Sequence, residues 1–189
     1  MSKVLVLYDA CVLYSAPLRD LLMHLAMTDL YQAKWTDAIH DEWMRNVLAN
    51  RPDLKRSQLE RTRELMNSHV RDCLVEGYEH LIPSLKLPDP DDRHVVAAAI
   101  YSSTSIILTY NLKDFPKKLL SPYEIDVQHP DAFLSHLIDL GPDIICNAIK
   151  RLRKGLKNPP TTVSQYLAIL EKQSLPKTVK KLEAFSNLL

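Results

Sequence analysis

The order of apolar and polar positions along the chain predicts an alternation of strands and helices, followed by a purely helical tail. Val4–Tyr8 is a continuous apolar run, partly β-branched, of the kind that forms a short strand buried on both faces. Pro17 suits the first turn of a helix, and Leu18, Leu21, Leu22 and Leu25 follow at the spacing of one helical face. Thr36 or Asp37 can cap a second helix bearing Ile39, Trp43 and Val47. A charged segment opens at Pro52 and runs to about His69, with Leu54, Leu59 and Leu65 as a sparse apolar side, which predicts a surface helix.

Leu81–Leu87 reads as extended or irregular and leads into Pro88, Asp89, Pro90, Asp91 and Asp92. Asp89 precedes a proline, which biases it to extended backbone. Val95–Tyr101 is apolar nearly all round and predicts a helix buried against a sheet. Ser105–Tyr110 predicts a second central strand and Ile125–Val127 an edge strand. A further helix begins at His129-Pro130 and carries Phe133, Leu134, Leu137 and Ile138. Beyond Gly141-Pro142 the pattern is helical over 143–153, 162–172 and 176–186, with Ser174 as the expected cap of the last helix. Strands alternating with helices imply right-handed crossovers and a parallel sheet covered on both faces. The expected fold is therefore a three-layer α/β/α domain over residues 1–139, with a small all-helical C-terminal extension over 140–189.

Composition narrows the class. With 189 residues, 46% hydrophobic and 25% charged, the chain has the make-up of a soluble globular protein. It has no apolar stretch long enough for a membrane span and no signal-peptide core at its start, which makes cytoplasmic residence the expectation. Cys11, Cys73 and Cys146 are isolated, and the seven histidines show no metal-ligand spacing, so a zinc site or a disulfide framework is not expected. The net charge of +1 conceals an asymmetry. Residues 1–139 hold 15 Lys and Arg against 20 Asp and Glu, a net −5, whereas 140–189 hold 9 against 3, a net +6. Such a split points to a tail that meets a polyanion or an acidic surface, or to an ordinary solvated helical face.

The candidate chemistry lies in four acids. Asp9 closes the first strand, Asp114 follows the second central strand, Asp92 falls in the first turn of the buried helix, and Glu42 borders the apolar stripe of its helix. The carboxyl ends of parallel strands are where such sheets bind ligands. Four carboxylates converging there repel one another, by about 4 kcal/mol for a pair some 4 Å apart at an effective dielectric near 20. Either they protonate or a hard divalent cation lies between them, and Mg2+ or Mn2+ takes oxygen ligands of this kind. Each acid also has an ordinary reading: Asp92 and Asp114 as first-turn or capping acids, Asp9 as a turn former, and Glu42 as a helix-edge acid. A phosphoryl-transfer receiver built on one aspartate fits less well, because Asp9 is followed by Ala10 and Cys11 rather than by a second acid.

Read together, the segments beginning Tyr8-Asp9-Ala10-Cys11, Trp35-Thr36-Asp37, Asp89-Pro90-Asp91-Asp92 and Thr109-Tyr110-Asn111 resemble, in order, a PIN domain of the VapC-type ribonuclease toxins. The resemblance covers roughly residues 3–139, and the helical tail resembles the C-terminal extension of one subset of these toxins. It implies a metal-dependent endoribonuclease whose Mg2+ or Mn2+ is bound by Asp9, Glu42, Asp92 and Asp114, leaving a 5′-phosphate and a 3′-hydroxyl. Thr109 and Asn111 would shape the pocket. Asp89 and Asp91 compete with Asp92 for the third position, with Asp92 favoured by register and Asp89 a possible helper. Cys11 departs from the family, whose members usually carry a polar residue such as Asn there. The resemblance also implies an RNA substrate, a cognate antitoxin and a homodimer. Lys150, Arg151, Arg153, Lys154 and Lys157 are candidates to grip RNA phosphates, or to dock a subunit or an antitoxin. The alternative is a PIN-like module without catalysis that binds RNA or protein.

Overall fold

In the computed structural model, which describes residues 3–189, four short strands form one parallel sheet. These are β1 (Leu5–Tyr8), β2 (Gln32–Lys34), β3 (Ile106–Leu108) and β4 (Asp126–Gln128), in the spatial order β2-β1-β3-β4. In register, Val6 lies opposite Ala33 on one side and Ile106 on the other. The chain steps from β1 to one neighbour and then returns past β1 to β3, so the strand order reverses between β1 and β3. Val6, Leu7, Tyr8, Ile107 and Leu108 are fully buried, which is why the two central strands read as unbroken apolar runs. β4 is the expected edge strand. β2 was not expected: its Gln32 and Lys34 give no apolar run, and only Ala33 between them is buried.

The helices are α1 (Ala10–Tyr14), α2 (Ala16–Ala26), α3 (Asp37–Asn50), α4 (Arg56–His69), α5 (Arg93–Tyr101), α6 (Lys117–Leu120), α7 (Pro130–Leu140), α8 (Pro142–Gly155), α9 (Val163–Glu171) and α10 (Pro176–Glu183). Two compact units contain them. The first comprises residues 1–14 and 31–129, and the second comprises residues 15–30 and 130–189. The second unit therefore draws on two separate stretches of sequence, and the excess of positive charge after residue 140 belongs to it. Among the described residues no single helix is long and apolar enough to cross a membrane.

In the first unit the Thr36 hydroxyl accepts from the Ile39 amide and caps α3, as expected. Behind it lies a buried polar cluster. Trp43 Nε1 donates to His40 Nδ1 at 3.0 Å, and His40 Nε2 lies 3.0 Å from Asn67 Oδ1, which also accepts from Trp35 Nε1 at 2.7 Å. Because Nδ1 accepts, the ring proton of His40 is on Nε2 and the imidazole is neutral. Burial lowers its pKa to about 4, and the charge of Arg63 adds to the effect. α4 starts at Arg56, later than the proline at 52 suggests, because a turn intervenes. Its buried residues are Leu59 and Met66, while Leu65 is exposed. Glu79–Ser84 forms a 3-10 turn that runs into the stretch read as extended or irregular.

In the second unit α2 packs on α8 and α9, and α7 packs on α10. The leucines of α2 at helical spacing are buried here, together with Ile145, Ile149 and Leu152 of α8, Leu170 of α9 and Leu182 of α10. Ser174 does not cap α10. Its backbone is left-handed (φ 59°), and Leu175 occupies the capping position without a side-chain bond. The open amides of the first turn go instead to Asp131 of α7, whose carboxylate accepts from the amides of Lys177 and Thr178 and from the Thr178 hydroxyl. A carboxylate at a helix N-terminus satisfies these amides and complements the dipole. The pairing joins residues far apart in sequence, which local patterns do not encode.

Candidate active site

Asp9 leaves the carboxyl end of β1 and Thr109 leaves that of β3, at the point where the strand order reverses. This is the crevice at which open parallel sheets bind ligands. The ladder extends one step beyond the strands, with the Asp9 amide donating to Leu108 O at 3.0 Å. Asp9 is only 3% exposed. Its Oδ1 accepts from the Ala10 amide at 2.7 Å, and its Oδ2 accepts from the Thr109 hydroxyl at 2.7 Å and from the Cys11 thiol at 3.1 Å. The Thr109 oxygen in turn accepts from the Asn111 amide at 3.0 Å and lies 3.3 Å from Cys11 Sγ. Burial raises the Asp9 pKa and the charge of Glu42 adds to it, while the bonds from Thr109, Cys11 and Ala10 act in the opposite direction.

Asp92 ends the 3-10 turn Pro90–Asp92 and leads into α5. It is half-buried, and its pKa is pushed up to about 7, first by burial and then by the charges of Asp9, Asp89, Asp114 and Glu42. Three of these four, Asp9, Asp114 and Glu42, are the other acids singled out in the sequence. Asp89 has the extended backbone expected before proline and is exposed. It accepts the Asp91 amide at 2.9 Å and so caps the turn as well as adding charge. Asp91 is exposed. Asp114 ends the 3-10 turn Leu112–Asp114, with its amide donating to Asn111 O at 3.0 Å. Arg93, next to Asp92 in sequence, turns its Nε to Pro90 O at 2.8 Å.

One group at this edge escaped the sequence reading, and a second, Cys11, entered it only as a departure from the family. His94, in the first turn of α5, brings Nε2 to 3.4 Å from Glu42 Oε2. Its Nδ1 is buried without a hydrogen-bond partner. The one hint in the sequence is a histidine opening a helix whose remaining residues are apolar. Cys11 holds the second place: its sulfur receives the Tyr110 amide at 3.3 Å and donates to Asp9. A thiol here makes the contacts of a small polar side chain. Burial and the charge of Asp9 push its pKa up to about 12.

Among the described residues no group of three or more His, Cys, Asp or Glu side chains closes on a point as a ready metal cage. The acids share a field rather than a common centre. That arrangement suits Mg2+, a hard ion that keeps several of its waters and needs only one or two carboxylates directly. An all-oxygen, anionic donor set is also the type that prefers Mg2+ or Mn2+ over softer metals. Lone-pair counting points the same way: Asp9 has about four acceptor positions, three are occupied, and the remaining one is on Oδ1.

Of the tail cations, Arg153 and Lys150 are turned to backbone. Arg153 donates to Thr161 O at 2.9 Å and to Leu189 O at 3.2 Å, and Lys150 donates to Leu188 O at 3.2 Å. Arg151, Lys154 and Lys157 are exposed.

Comparison with known proteins gives matches on both units. A PIN domain family model matches residues 5–113, and a VapC50 C-terminal domain model matches residues 130–184. The Mycobacterium tuberculosis (strain ATCC 25618 / H37Rv) protein named "Putative ribonuclease VapC50" is 37% identical over 97 residues. That stretch is 51% of this chain and 57% of the relative, so the chain matches little more than half the relative's length. No solved structure matches the chain.

Proposed function

The chain belongs to the PIN-domain family, and on that premise we propose that it is a divalent-metal-dependent endoribonuclease and the toxin of a toxin–antitoxin pair. The observation that carries the reading is Asp92. Burial first, and then the charges of Asp9, Asp89, Asp114 and Glu42, raise this half-buried carboxyl to about 7, and the four charges mark a concentration of negative charge that a cation relieves.

The proposed ligand set is Asp9, Glu42, Asp92 and Asp114, in direct contact or through water. Asp92 is favoured over Asp89 and Asp91 because it alone of the three is half-buried among the other acids. Asp89 adds charge and caps the turn that presents Asp92. A bound Mg2+ or Mn2+ supplies charge stabilisation to a phosphate oxygen and acidifies an attacking water. The protein's own part is to hold the acids in place. Ala10, Cys11 and Thr109 fix the Asp9 carboxylate, Asn111 fixes Thr109, and His94 lies against Glu42. Keeping Asp9 ionised in a buried place requires those donors, because burial alone favours its neutral form.

RNA is the proposed substrate, with a 5′-phosphate and a 3′-hydroxyl left by the cut. An antitoxin and a second copy of the chain are the proposed partners. The test is cleavage of a synthetic RNA by the purified protein in Mg2+, in EDTA, and with Asp9→Asn. Cleavage that EDTA stops and Asp9→Asn loses, with the fold retained by circular dichroism, supports the reading. Equal cutting by wild type and variant in Mg2+ would remove the assignment of Asp9. RNA binding without cleavage by the wild type would favour the non-catalytic alternative.

A further inference from the structure

The helical unit contains a cavity of about 670 Å3, formed by the start of α2, the end of α8 with the segment that follows it, and α9. Its size is that of a small-molecule site. Pro17, Leu152, Leu156 and Ile169 make its walls mainly apolar, and the polar side chains among them are Asp20, Lys157, Asn158, Thr161 and Tyr166. Tyr166 is 3% exposed, and its hydroxyl is buried with no hydrogen-bond partner among the described residues. Buried hydroxyls ordinarily have one. Asp20 lies at the rim, where burial raises its carboxyl above the usual range, and its charge raises the Tyr166 phenol in turn. The two groups are thus within electrostatic reach of each other. Lys157 also lines the cavity and, like Asp20, is exposed at its mouth; of the two charges it is that of Asp20 that acts on the Tyr166 hydroxyl.

We propose that this cavity is a binding site for a small organic cation, with an apolar body against Leu152, Leu156 and Ile169 and an amine donating to Asp20 and the Tyr166 hydroxyl. The chemistry follows from the lining. Apolar walls supply affinity by excluding water, while a carboxylate beside an unsatisfied hydroxyl selects a donor. The site does not depend on the acids of the sheet edge, and its test stands apart from RNA cleavage.

Gly155 supplies a control. It lines the cavity, and a Cβ added there meets no atom within 4 Å, so Gly155→Leu extends a side chain into open space at the end of α8. The experiment titrates the full chain with phenethylamine and follows backbone amide shifts by NMR. The expected result is saturable binding centred on Gly155, Leu156 and Ile169. Asp20→Asn and Tyr166→Phe should each weaken it by about fivefold or more. Gly155→Leu should abolish it while leaving the melting temperature in place. Absence of saturable shifts at about 10 mM amine would overturn the proposal. So would equal binding of 3-phenylpropionate, or binding that persists in Gly155→Leu.

Discussion

The Thr109 hydroxyl donates to Asp9 Oδ2 at 2.7 Å, tying together the ends of two adjacent strands whose residues lie 100 positions apart in sequence. The bond matters because the same oxygen also accepts the Asn111 amide, so one hydroxyl ties the Asp9 carboxylate to the loop after β3.

Thr109→Val removes that donor and keeps the volume. With burial no longer opposed by this bond, the Asp9 pKa rises further and its hold on a divalent ion weakens. Cleavage of RNA and Mn2+ affinity should both fall by about 10- to 100-fold, the usual cost of losing a group that orients a ligand. Thr109→Ser, which retains the hydroxyl, should stay close to wild type. Isothermal titration with Mn2+ and single-turnover cleavage would measure the pair, and full activity in Thr109→Val would refute the role.

Asp92 makes the metal-free protein sensitive to rising pH. Its pKa is raised from 3.8 to about 7, so the folded state binds more protons than the unfolded state between those values. The contribution of this group to stability is therefore fully present below about pH 4 and is lost as pH rises through 7. The Asp92 carboxyl carbon, followed by NMR in EDTA, should titrate near 7, and Mg2+ should move that midpoint downward. A midpoint near 4 in EDTA would contradict the crowding of the acids.

His40 works in the opposite direction. Its pKa is lowered from 6.5 to about 4, so its contribution is complete above 6.5 and is lost as pH falls through 4, with a full size of about 3 kcal/mol. Protonation would put a second hydrogen on Nδ1, facing the Trp43 indole N–H that now donates to it. In urea titrations between pH 7 and pH 4, His40→Gln should flatten the acid side of the stability curve while lowering its plateau. An unchanged acid side would show that His40 is not the group responsible.

Asp131 should matter to the helical unit out of proportion to its place in α7. Asp131→Ala leaves the Lys177 and Thr178 amides without their acceptor, while the Thr178 hydroxyl keeps the Asp131 carbonyl, at a cost of about 2 kcal/mol. Hydrogen exchange should speed up at Lys177, Thr178 and Val179. Ser174→Ala should leave those residues unaltered.

The basic tail separates into structural and exposed cations. Arg153→Ala should lower thermal stability, since its guanidinium serves the carbonyls of Thr161 and Leu189. Arg151→Ala and Lys154→Ala should spare stability, and if this face holds RNA, each should reduce the salt dependence of binding by about one ion. Filter binding across a salt series would distinguish them. An unchanged slope in both would exclude these two residues from the phosphate contacts.

How far the fold could be read in advance followed from how local each cause was. β1 and β3 were legible because a strand buried on both faces must be apolar throughout, and Thr36 was legible because a cap lies three residues from the amide it serves. β2 was not, since Gln32 and Lys34 pair through backbone and give no apolar signal. Asp131 shows the same limit at a helix end. At the site, the acids could be listed from their positions beside apolar runs and register already favoured Asp92, whereas the difference in burial between Asp92 and Asp91 appears only on folding. His94 left only the hint of a histidine at the start of a mostly apolar helix, because its partner Glu42 lies on another helix.

Cys11 carries a consequence for chemistry in oxidising conditions. Oxidants and alkylating agents attack the thiolate, and a thiol whose pKa stands near 12 is ionised in only about one molecule in 10^5 at pH 7. The same carboxylate that accepts its proton also repels the anion it would have to become. Sulfur at the edge of the acid cluster thus behaves as a weak hydroxyl, and peroxide has no ready entry to the sulfenic, sulfinic and sulfonic series at this position. A protein built this way keeps the carboxylates beside its one active-edge cysteine unaffected by the redox state of its surroundings.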